Sequence, residues 1–243
     1  MKVTLFVPCF VDLCYPKVAM SMVMLLERLG HEVVFHESIT CCGQPAFNSG
    51  FDREARRVAR RTLRAIGSGE QPIVVPSGSC AAMMRLHWRE LFHGDRDAEL
   101  ARSVSTRVVE WSAFLAGRID ALEAAGPRWH GRVAYHESCH MLRELRIAAQ
   151  PRALLAAVDG LELVDLRSSD RCCGFGGTFS VRYPDVSVAM ADSKLSEVDG
   201  AGVDALVSAD GGCLMHLGGR MSRTGSAVRP LHLATLLAEA LVR

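Results

Sequence analysis

The sequence carries almost no net charge and has few aromatic residues. Its 28 lysines and arginines nearly balance 27 aspartates and glutamates, giving a formal net charge of +1, and aromatic residues make up 6% of the 243 positions. A protein whose main partner is nucleic acid or an anionic membrane normally carries a basic excess. We therefore expect no nucleic acid among its partners.

Long apolar segments are also missing. The longest apolar stretch covers residues 18 to 26, includes Ser21 and is too short to span a bilayer. The opening MKVTLFVPCF lacks the longer apolar region and the small-residue cleavage site of a signal peptide. We expect a cytoplasmic protein with no membrane span, and its 49% of hydrophobic residues is enough for a sizeable core.

Cysteine, in contrast, is abundant, with nine residues in the chain. Two adjacent pairs open the segments CCGQPAF, from Cys41, and CCGFGGTF, from Cys172. Adjacent cysteines are poor disulfide partners because their bond would close a strained ring across one peptide. In a reducing compartment, clustered cysteines more often indicate metal or redox chemistry.

Most of the cysteines follow an internal duplication. In the first half, a single cysteine, 31 residues, the pair, 37 residues and a last cysteine follow one another, and the second half repeats this order with 32 and 39 residues. Equivalent cysteines are 130, 131, 131 and 133 positions apart. The duplicated set is Cys9, Cys41, Cys42, Cys80, Cys139, Cys172, Cys173 and Cys213. Cys14 lies outside this set, and we interpret it as a plain thiol.

Strands and helices are predicted to alternate in both halves. The predicted strands cover residues 3–7, 32–35, 73–75, 132–135, 161–166 and 205–207, and the predicted helices cover 15–30, 53–66, 151–158, 184–198 and 231–241. Alternation of this kind implies parallel βαβ units. We predict an α/β fold of two pseudo-symmetric Rossmann-like halves with mainly parallel sheets. The predicted domains are residues 1–125 and 131–243, separated by a segment rich in glycine and proline.

The topology accounts for the cysteine spacing. In each half, three of the cysteine positions follow predicted strands, and parallel strands end at the same edge of a sheet. We therefore expect four sulfurs to converge at the C-terminal strand ends of each half, where a cation would offset the repulsion between thiolates. Four thiolates suit a [4Fe–4S] cluster or a structural zinc, although neither half has the C-x2-C knuckle typical of zinc sites.

The cysteine pattern resembles the cysteine-rich CCG domain. That domain occurs in the cysteine-rich subunit of heterodisulfide reductase and in the iron–sulfur subunits of glycolate and glycerol-3-phosphate dehydrogenases. Within this family, the chain is most similar to the lactate utilization protein A group. The similarity is carried by FVPCFVD, CCGQPAFNSG, PSGSC, YHESCHMLRELR, CCGFGGTFS and ADGGCLMH, and it extends over essentially the whole chain.

The resemblance implies a function as well as a fold. It implies an iron–sulfur electron-transfer component, with one or two [4Fe–4S] clusters, of a multi-subunit system that oxidises L-lactate to pyruvate. It also implies two partner subunits, one with ferredoxin-type clusters. The chain would then be an oxidoreductase subunit that is active only in complex with these partners.

One departure from the family pattern concerns the last cysteine of each motif. Relatives such as the heterodisulfide reductase subunit end each motif in C-x-x-C, whereas the first of these positions is Ser77 in one half and Asp210 in the other. A simpler cluster, an oxygen ligand from Ser77 or Asp210, and one occupied half beside an empty one all remain open. Two functional alternatives also remain: a thiol–disulfide redox subunit, and a non-catalytic assembly module that is zinc-bound or metal-free.

Three histidines lie beside the cysteines in sequence. His136 and His140 flank Cys139, and His216 follows Cys213. A histidine near a cluster can donate a hydrogen bond to sulfur or shuttle a proton, so these three are the candidates for a catalytic or tuning role.

Overall fold

The protein, described over residues 1–242 by a computed structural model, contains two four-stranded sheets. The strands are β1 (Lys2–Leu5), β2 (Glu32–Phe35), β3 (Ile73–Val75), β4 (Val108–Glu110), β5 (Arg128–Tyr135), β6 (Asp159–Val164), β7 (Ala205–Ser208) and β8 (Arg229–His232).

Helices connect these strands in both halves. They are α1 (Cys9–Cys14), α2 (Pro16–Arg28), α3 (Gln44–Phe47), α4 (Asp52–Ile66), α5 (Gly78–Ala82), α6 (Trp88–Leu91), α7 (Ala98–Arg107), α8 (Trp111–Ala116), α9 (Ile119–Ala124), α10 (Ala149–Ala156), α11 (Thr178–Arg182), α12 (Pro184–Gly200), α13 (Gly211–Thr224) and α14 (Leu233–Val242). Two short π-helical segments, Met83–His87 and His140–Glu144, occur at related positions of the two halves.

The two sheets have the same topology. The strand order is β2-β1-β3-β4 in the first sheet and β6-β5-β7-β8 in the second, and every named pair is parallel. In the second sheet, β5, β6, β7 and β8 therefore occupy the places that β1, β2, β3 and β4 occupy in the first. This confirms the predicted α/β fold of two Rossmann-like halves.

The outer strands and the last helix differ from the sequence prediction. The pattern predicts neither β4, which has three residues, nor β8, which contains Pro230. Proline cannot donate to a strand ladder and is confined to edges, where β8 lies. The predicted helix 231–241 begins too early, because Leu231 belongs to β8 and α14 begins at Leu233.

Side chains on the central strands alternate between two faces of each sheet. In the first sheet, Val74 belongs to a hydrophobic cluster that contains residues of both halves, whereas Val75 belongs to a cluster of buried first-half residues. In the second sheet, Val207 belongs to the shared cluster and Leu206 to a cluster of second-half residues. One face of each sheet thus packs against buried residues of its own half, and the opposite face packs into the core that both halves share.

Helices of both halves fill the space between the two sheets. α2 of the first half packs against α14 of the second, and α8 packs against α10. These contacts build the shared cluster, so the hydrophobic cores of the two halves are continuous. The division into domains 1–125 and 131–243 stays a prediction. Among the helices within residues 1–242, none has the length and apolar character needed to cross a membrane.

The shared core predicts that the two halves unfold together. Leu237 of α14 is fully buried in the shared cluster, so Leu237→Ala should lower the free energy of unfolding by about 2–5 kcal/mol. Denaturant unfolding followed by fluorescence and circular dichroism should give one coincident transition for the wild type and the variant. Leu13→Ala is the control, because Leu13 is 82% exposed. Two separate transitions, of which only one shifts, would contradict the shared core.

Candidate metal centre

The two cysteine pairs lie in tight loops that only glycine allows. Gly43 and Gly174, which follow the pairs, have φ of +90° and +92°. A Cβ at Gly43 would lie 2.8 Å from the carbonyl oxygen of Ala55, and one at Gly174 would lie 2.6 Å from that of Ser187. Each loop is therefore pressed against the helix that follows it, α4 in the first half and α12 in the second.

The four sulfurs of each half lie in contact with one another. Cys42 Sγ is 3.3 Å from Cys80 Sγ, and Cys173 Sγ is 3.2 Å from Cys213 Sγ. The remaining thiols extend these pairs, because Cys41 is hydrogen-bonded to the thiols of Cys9 and Cys42. The second half repeats this arrangement around Cys172, which is hydrogen-bonded to the thiols of Cys139 and Cys173. The structure thus brings together all eight cysteines of the duplication, in two groups of four.

One cysteine in each group is set up to ionise first. Hydrogen bonds from the thiols of Cys42 and Cys9, together with the Gly43 N–H, lower the pKa of Cys41 to about 3. Hydrogen bonds from Cys139 and Cys173 and from the Gly174 N–H lower the pKa of Cys172 to about 2. A thiolate is the form of cysteine that binds metal, so the lowered pKa makes Cys41 and Cys172 the sulfurs best suited to such a role.

Both groups of cysteines face one cavity. The cavity has a volume of about 200 Å³, and all eight duplicated cysteines line it. The rings of Phe10 and Phe175, whose centroids are 6.1 Å apart, lie on opposite halves of its wall. The hydroxyl groups of Ser49 and Thr178, 3.1 Å apart, make a second contact between the halves. The two groups are therefore parts of one centre.

The halves are joined at this centre by Ser77 and Asp210, the two predicted oxygen ligands. These equivalent residues form an antiparallel β-bridge with each other, as a pseudo-two-fold axis between them requires. Asp210 Oδ2 accepts hydrogen bonds from the Ser77 hydroxyl, at 3.2 Å, and from the Ser79 N–H, at 2.9 Å. Asp210 Oδ1 accepts from the Gly212 N–H at 3.1 Å. These hydrogen bonds already occupy the side-chain oxygens of Ser77 and Asp210. A role of either residue as an oxygen ligand to a metal therefore stays a prediction.

The residues of the centre fit a thiolate-bound metal group. Soft thiolates select iron–sulfur clusters or zinc, and each half offers four of them at one point. The N–H groups of Gly43 and Gly174, each 3.4 Å from a cysteine sulfur, add the backbone hydrogen bonds that such sulfurs accept. Cys14 is exposed on α1 and does not line the cavity with the other eight.

The three candidate histidines occupy different places. His140 lines the cavity, and Glu144 holds its ring through a 2.6 Å contact at Nδ1. The other oxygen of Glu144 lies 2.9 Å from Nε2 of His87. His216 lies outside the cavity wall, with Nε2 3.1 Å from the Ser187 hydroxyl, which itself donates to the Gly174 carbonyl. His216 thus supports the second cysteine loop.

His136 is buried behind the sulfurs of the second group. Its ring is 0% exposed, and a ring nitrogen lies within 4.8 Å of the sulfurs of both Cys173 and Cys213. Neither ring nitrogen has a hydrogen-bond partner in residues 1–242. Burial, and then the charge of Lys194, lowers the pKa of His136 to about 3, so the imidazole is uncharged.

Sequence reasoning missed two residues that support the centre. Lys194 is fully buried, and its ammonium donates to the carbonyl oxygens of Ser168 and Ser169, just before the second cysteine pair. Glu144 orients His140. Burial of Lys194 could have been predicted from the repeat. Helix α12 repeats α4, and Lys194 occupies one of the positions at which the buried residues of both helices recur.

Comparison with known proteins gives a consistent result. The model of a family described as the CCG cysteine-rich domain matches residues 3–85 and 133–218. Lactate utilization protein A of Geobacillus kaustophilus (strain HTA426) is 45% identical over 240 residues, covering 98% of both chains. The proteins of the same name from Geobacillus thermodenitrificans (strain NG80-2) and Shouchella clausii (strain KSM-K16) are 44% and 43% identical over 238 residues, with 98% of both chains covered in each comparison.

The packing of the second cysteine loop predicts that Gly174 tolerates a side chain less well than a left-handed glycine with open space around it. Gly174→Ala should lower the free energy of unfolding by more than the roughly 1–2 kcal/mol of a left-handed backbone, because its Cβ also meets a backbone oxygen. Gly225→Ala is the control, since Gly225 is left-handed, with φ of +72° and ψ of 25°, and has nothing within 4 Å of its added Cβ. Denaturant unfolding measures both, and equal losses would contradict the packing described for the loop.

Proposed function

This chain belongs to the CCG cysteine-rich domain family and to its lactate utilization protein A group, and on this premise we propose that it is an iron–sulfur electron-transfer component of a system that oxidises L-lactate to pyruvate. The observation that carries the proposal is the pair of four-cysteine groups that face one cavity. Eight soft ligands in two equivalent sets are more than a single structural metal needs.

The chemistry of lactate oxidation explains why two sites are useful. Conversion of L-lactate to pyruvate releases two electrons and two protons, and an iron–sulfur cluster at each cysteine group would supply a one-electron carrier. The first group, centred on Cys41, and the second, centred on Cys172, could then hold the two electrons in one chain. The electrons would then pass to an acceptor in a partner protein, and the protons would pass to solvent.

The protein's own residues hold these carriers and shape their surroundings. The eight cysteines supply the ligands, and the glycines after each pair allow backbone N–H groups to approach the sulfurs. Phe10 and Phe175 line the same cavity and reduce the access of water. Among the three candidate histidines, His140 is the one whose ring reaches the cavity wall, so it is placed to contact a molecule or partner residue that enters.

The proposal includes partners. We infer two partner subunits, one with ferredoxin-type clusters that receives electrons, and a cytoplasmic complex in which this chain is one redox subunit. The support is the similarity to proteins named for lactate utilization, together with the need for an electron acceptor outside this chain. The name of those relatives describes a system rather than a single-chain reaction.

Metal analysis tests the cofactor. We expect anaerobically purified protein to hold about four irons and four acid-labile sulfides at each occupied site. Cys173→Ser should remove the iron of the second site, and Cys42→Ser that of the first, because serine is a poor iron ligand. Cys14→Ser is the control and should keep the wild-type content. Stoichiometric zinc without sulfide, in protein from native cells, would instead favour an assembly module.

Activity measurements test the dependence on partners. The isolated chain should not oxidise L-lactate with an artificial electron acceptor, and activity should appear when both partner subunits are added. Chemical reduction of the iron–sulfur clusters by lactate in the reconstituted complex, followed by electron paramagnetic resonance, would support the assignment. Robust turnover of lactate by the isolated chain would reject it, and reduction of a disulfide substrate in place of lactate oxidation would favour the heterodisulfide-like alternative.

A further inference from the structure

The two cysteine groups are not surrounded by the same residues. His136 lies three residues before Cys139, and Phe6 lies three residues before Cys9. Their main-chain positions are equivalent, because the N–H of Phe6 donates to Val74 of β3 and the N–H of His136 donates to Val207 of β7. The first half thus places a phenyl ring where the second half places an imidazole.

Both rings are buried in the same part of their half as two of its sulfurs. Phe6 belongs to the same hydrophobic cluster as Cys42 and Cys80. The ring of His136 lies within 4.8 Å of the equivalent sulfurs, those of Cys173 and Cys213. A phenyl ring has no hydrogen-bond donor, whereas an uncharged imidazole has one N–H, which here has no partner in residues 1–242. The ring makes no hydrogen bond to the nearby sulfurs of Cys173 and Cys213 themselves, so the N–H is free to donate to a sulfur group bound there.

A second difference concerns the helices that follow the cysteine pairs. The buried residues of α4 are Ala55, Ala59, Thr62, Leu63 and Ile66, and those of α12 are Ser187, Ala191, Lys194, Leu195 and Val198, each 132 positions later. Lys194 therefore takes the place of Thr62.

Thr62 and Lys194 make the same kind of contact with different charge. The Thr62 hydroxyl donates to the carbonyl oxygen of Cys41 at 2.9 Å. Lys194 donates to the carbonyl oxygens of Ser168 and Ser169 at 2.7 and 3.0 Å. Both residues brace the loop that carries a cysteine pair, but only the second half does so with a buried ammonium. Burial lowers the pKa of Lys194, and negative charge on Cys173 and Cys213 opposes that lowering, so the ammonium and negative charge at these sulfurs favour each other.

His136 and Lys194 both favour negative charge at the second site. The Asp210 carboxylate, which stands where the first half has Ser77, opposes it, and hydrogen bonds from Ser77, Ser79 and Gly212 partly offset that charge. Reduction adds one negative charge to an iron–sulfur cluster, and its potential depends on net charge, burial and hydrogen bonds to the sulfurs. An N–H donor and a buried cation each stabilise the reduced state more than the oxidised state, and a low-dielectric interior strengthens both effects. The first site has neither group at the equivalent positions.

We propose that His136 and Lys194 make the second cysteine site the easier of the two to reduce, so that the second site collects electrons that the first site gives up. The proposal rests on the proposed iron–sulfur function. The transfer is a one-electron step in which the first site is oxidised by one electron and the second is reduced by one, with no atom or proton moved. His136 and Lys194 act on the cluster through its surroundings, as tuning residues rather than catalytic ones.

Redox titration of the full chain followed by electron paramagnetic resonance tests the order of the two sites. Cys42→Ser leaves the second site and Cys173→Ser leaves the first, so these variants assign the two signals in the wild type. We expect the second site to be reduced at the higher potential. Equal potentials, a reversed order, or a cluster confined to one site would overturn the proposal.

Variants that exchange the two environments test the residues themselves. His136→Phe gives the second site the residue of the first, and Lys194→Met removes the charge but keeps a long side chain. Each should lower the equilibrium constant for reduction of the second site at least tenfold, which is about 59 mV for one electron, and leave the first site unmoved. Phe6→His should raise the potential of the first site and stands as an independent test if His136→Phe loses its iron.

Two failures are distinguishable in this design. Wild-type protein without iron and sulfide would overturn the proposed function and the tuning together. Wild-type protein with both clusters, and variants of normal iron content whose second-site potential does not move, would overturn the roles of His136 and Lys194 and leave the iron–sulfur function intact.

Discussion

The pairing of Ser77 with Asp210 is the contact on which the centre depends. Parallel strands bring four sulfurs to one edge of each sheet, but nothing in that topology brings the two edges together. The antiparallel bridge joins equivalent residues across the pseudo-two-fold axis at those edges, while the packing of α2 against α14 joins the halves away from them. Burial of the Asp210 carboxylate is costly, and the cost is offset by hydrogen bonds from Ser77, Ser79 and Gly212. One cavity with two sets of ligands is the result.

At equivalent positions of the two halves, side chains of different chemical type accept the same kind of hydrogen bond. Glu110 ends β4 and His232 ends β8, at equivalent positions beside the central strands. The Glu110 carboxylate accepts from the N–H groups of Ser112 and Ala113 at the start of α8, and Nδ1 of His232 accepts from the N–H of Ala234 in α14. Both side chains cap the next helix, yet one is an acid whose pKa burial raises to about 7. A symmetric scaffold therefore carries unlike groups without loss of structure.

Much of the fold and the convergence of the eight duplicated cysteines could be predicted from the sequence, because both follow from local pattern. The repeat spacing indicated the two groups of cysteines, and hydrophobic runs indicated the central strands. The edge strand with Pro230 was hidden because proline disfavours strands in general. The contact of His136 with Cys173 and Cys213 was also hidden, because its partners are 37 and 77 positions away and depend on how β5 meets β7. The pairing of Ser77 with Asp210 needed the arrangement of the halves, which no local signal encodes.

The packing of α2 against α14 has a consequence for the order of events during synthesis. A ribosome delivers the chain from the N-terminus at roughly 5–20 residues per second, and domains generally fold as units while it does so. Here the apolar face of α2, with Leu25 and Leu26, stays uncovered until Leu237 is translated, more than 200 positions later. During that interval, the first half has its own four cysteines but lacks the helix that covers one face of its core. The core that joins the two halves is therefore completed only after both of them have been translated.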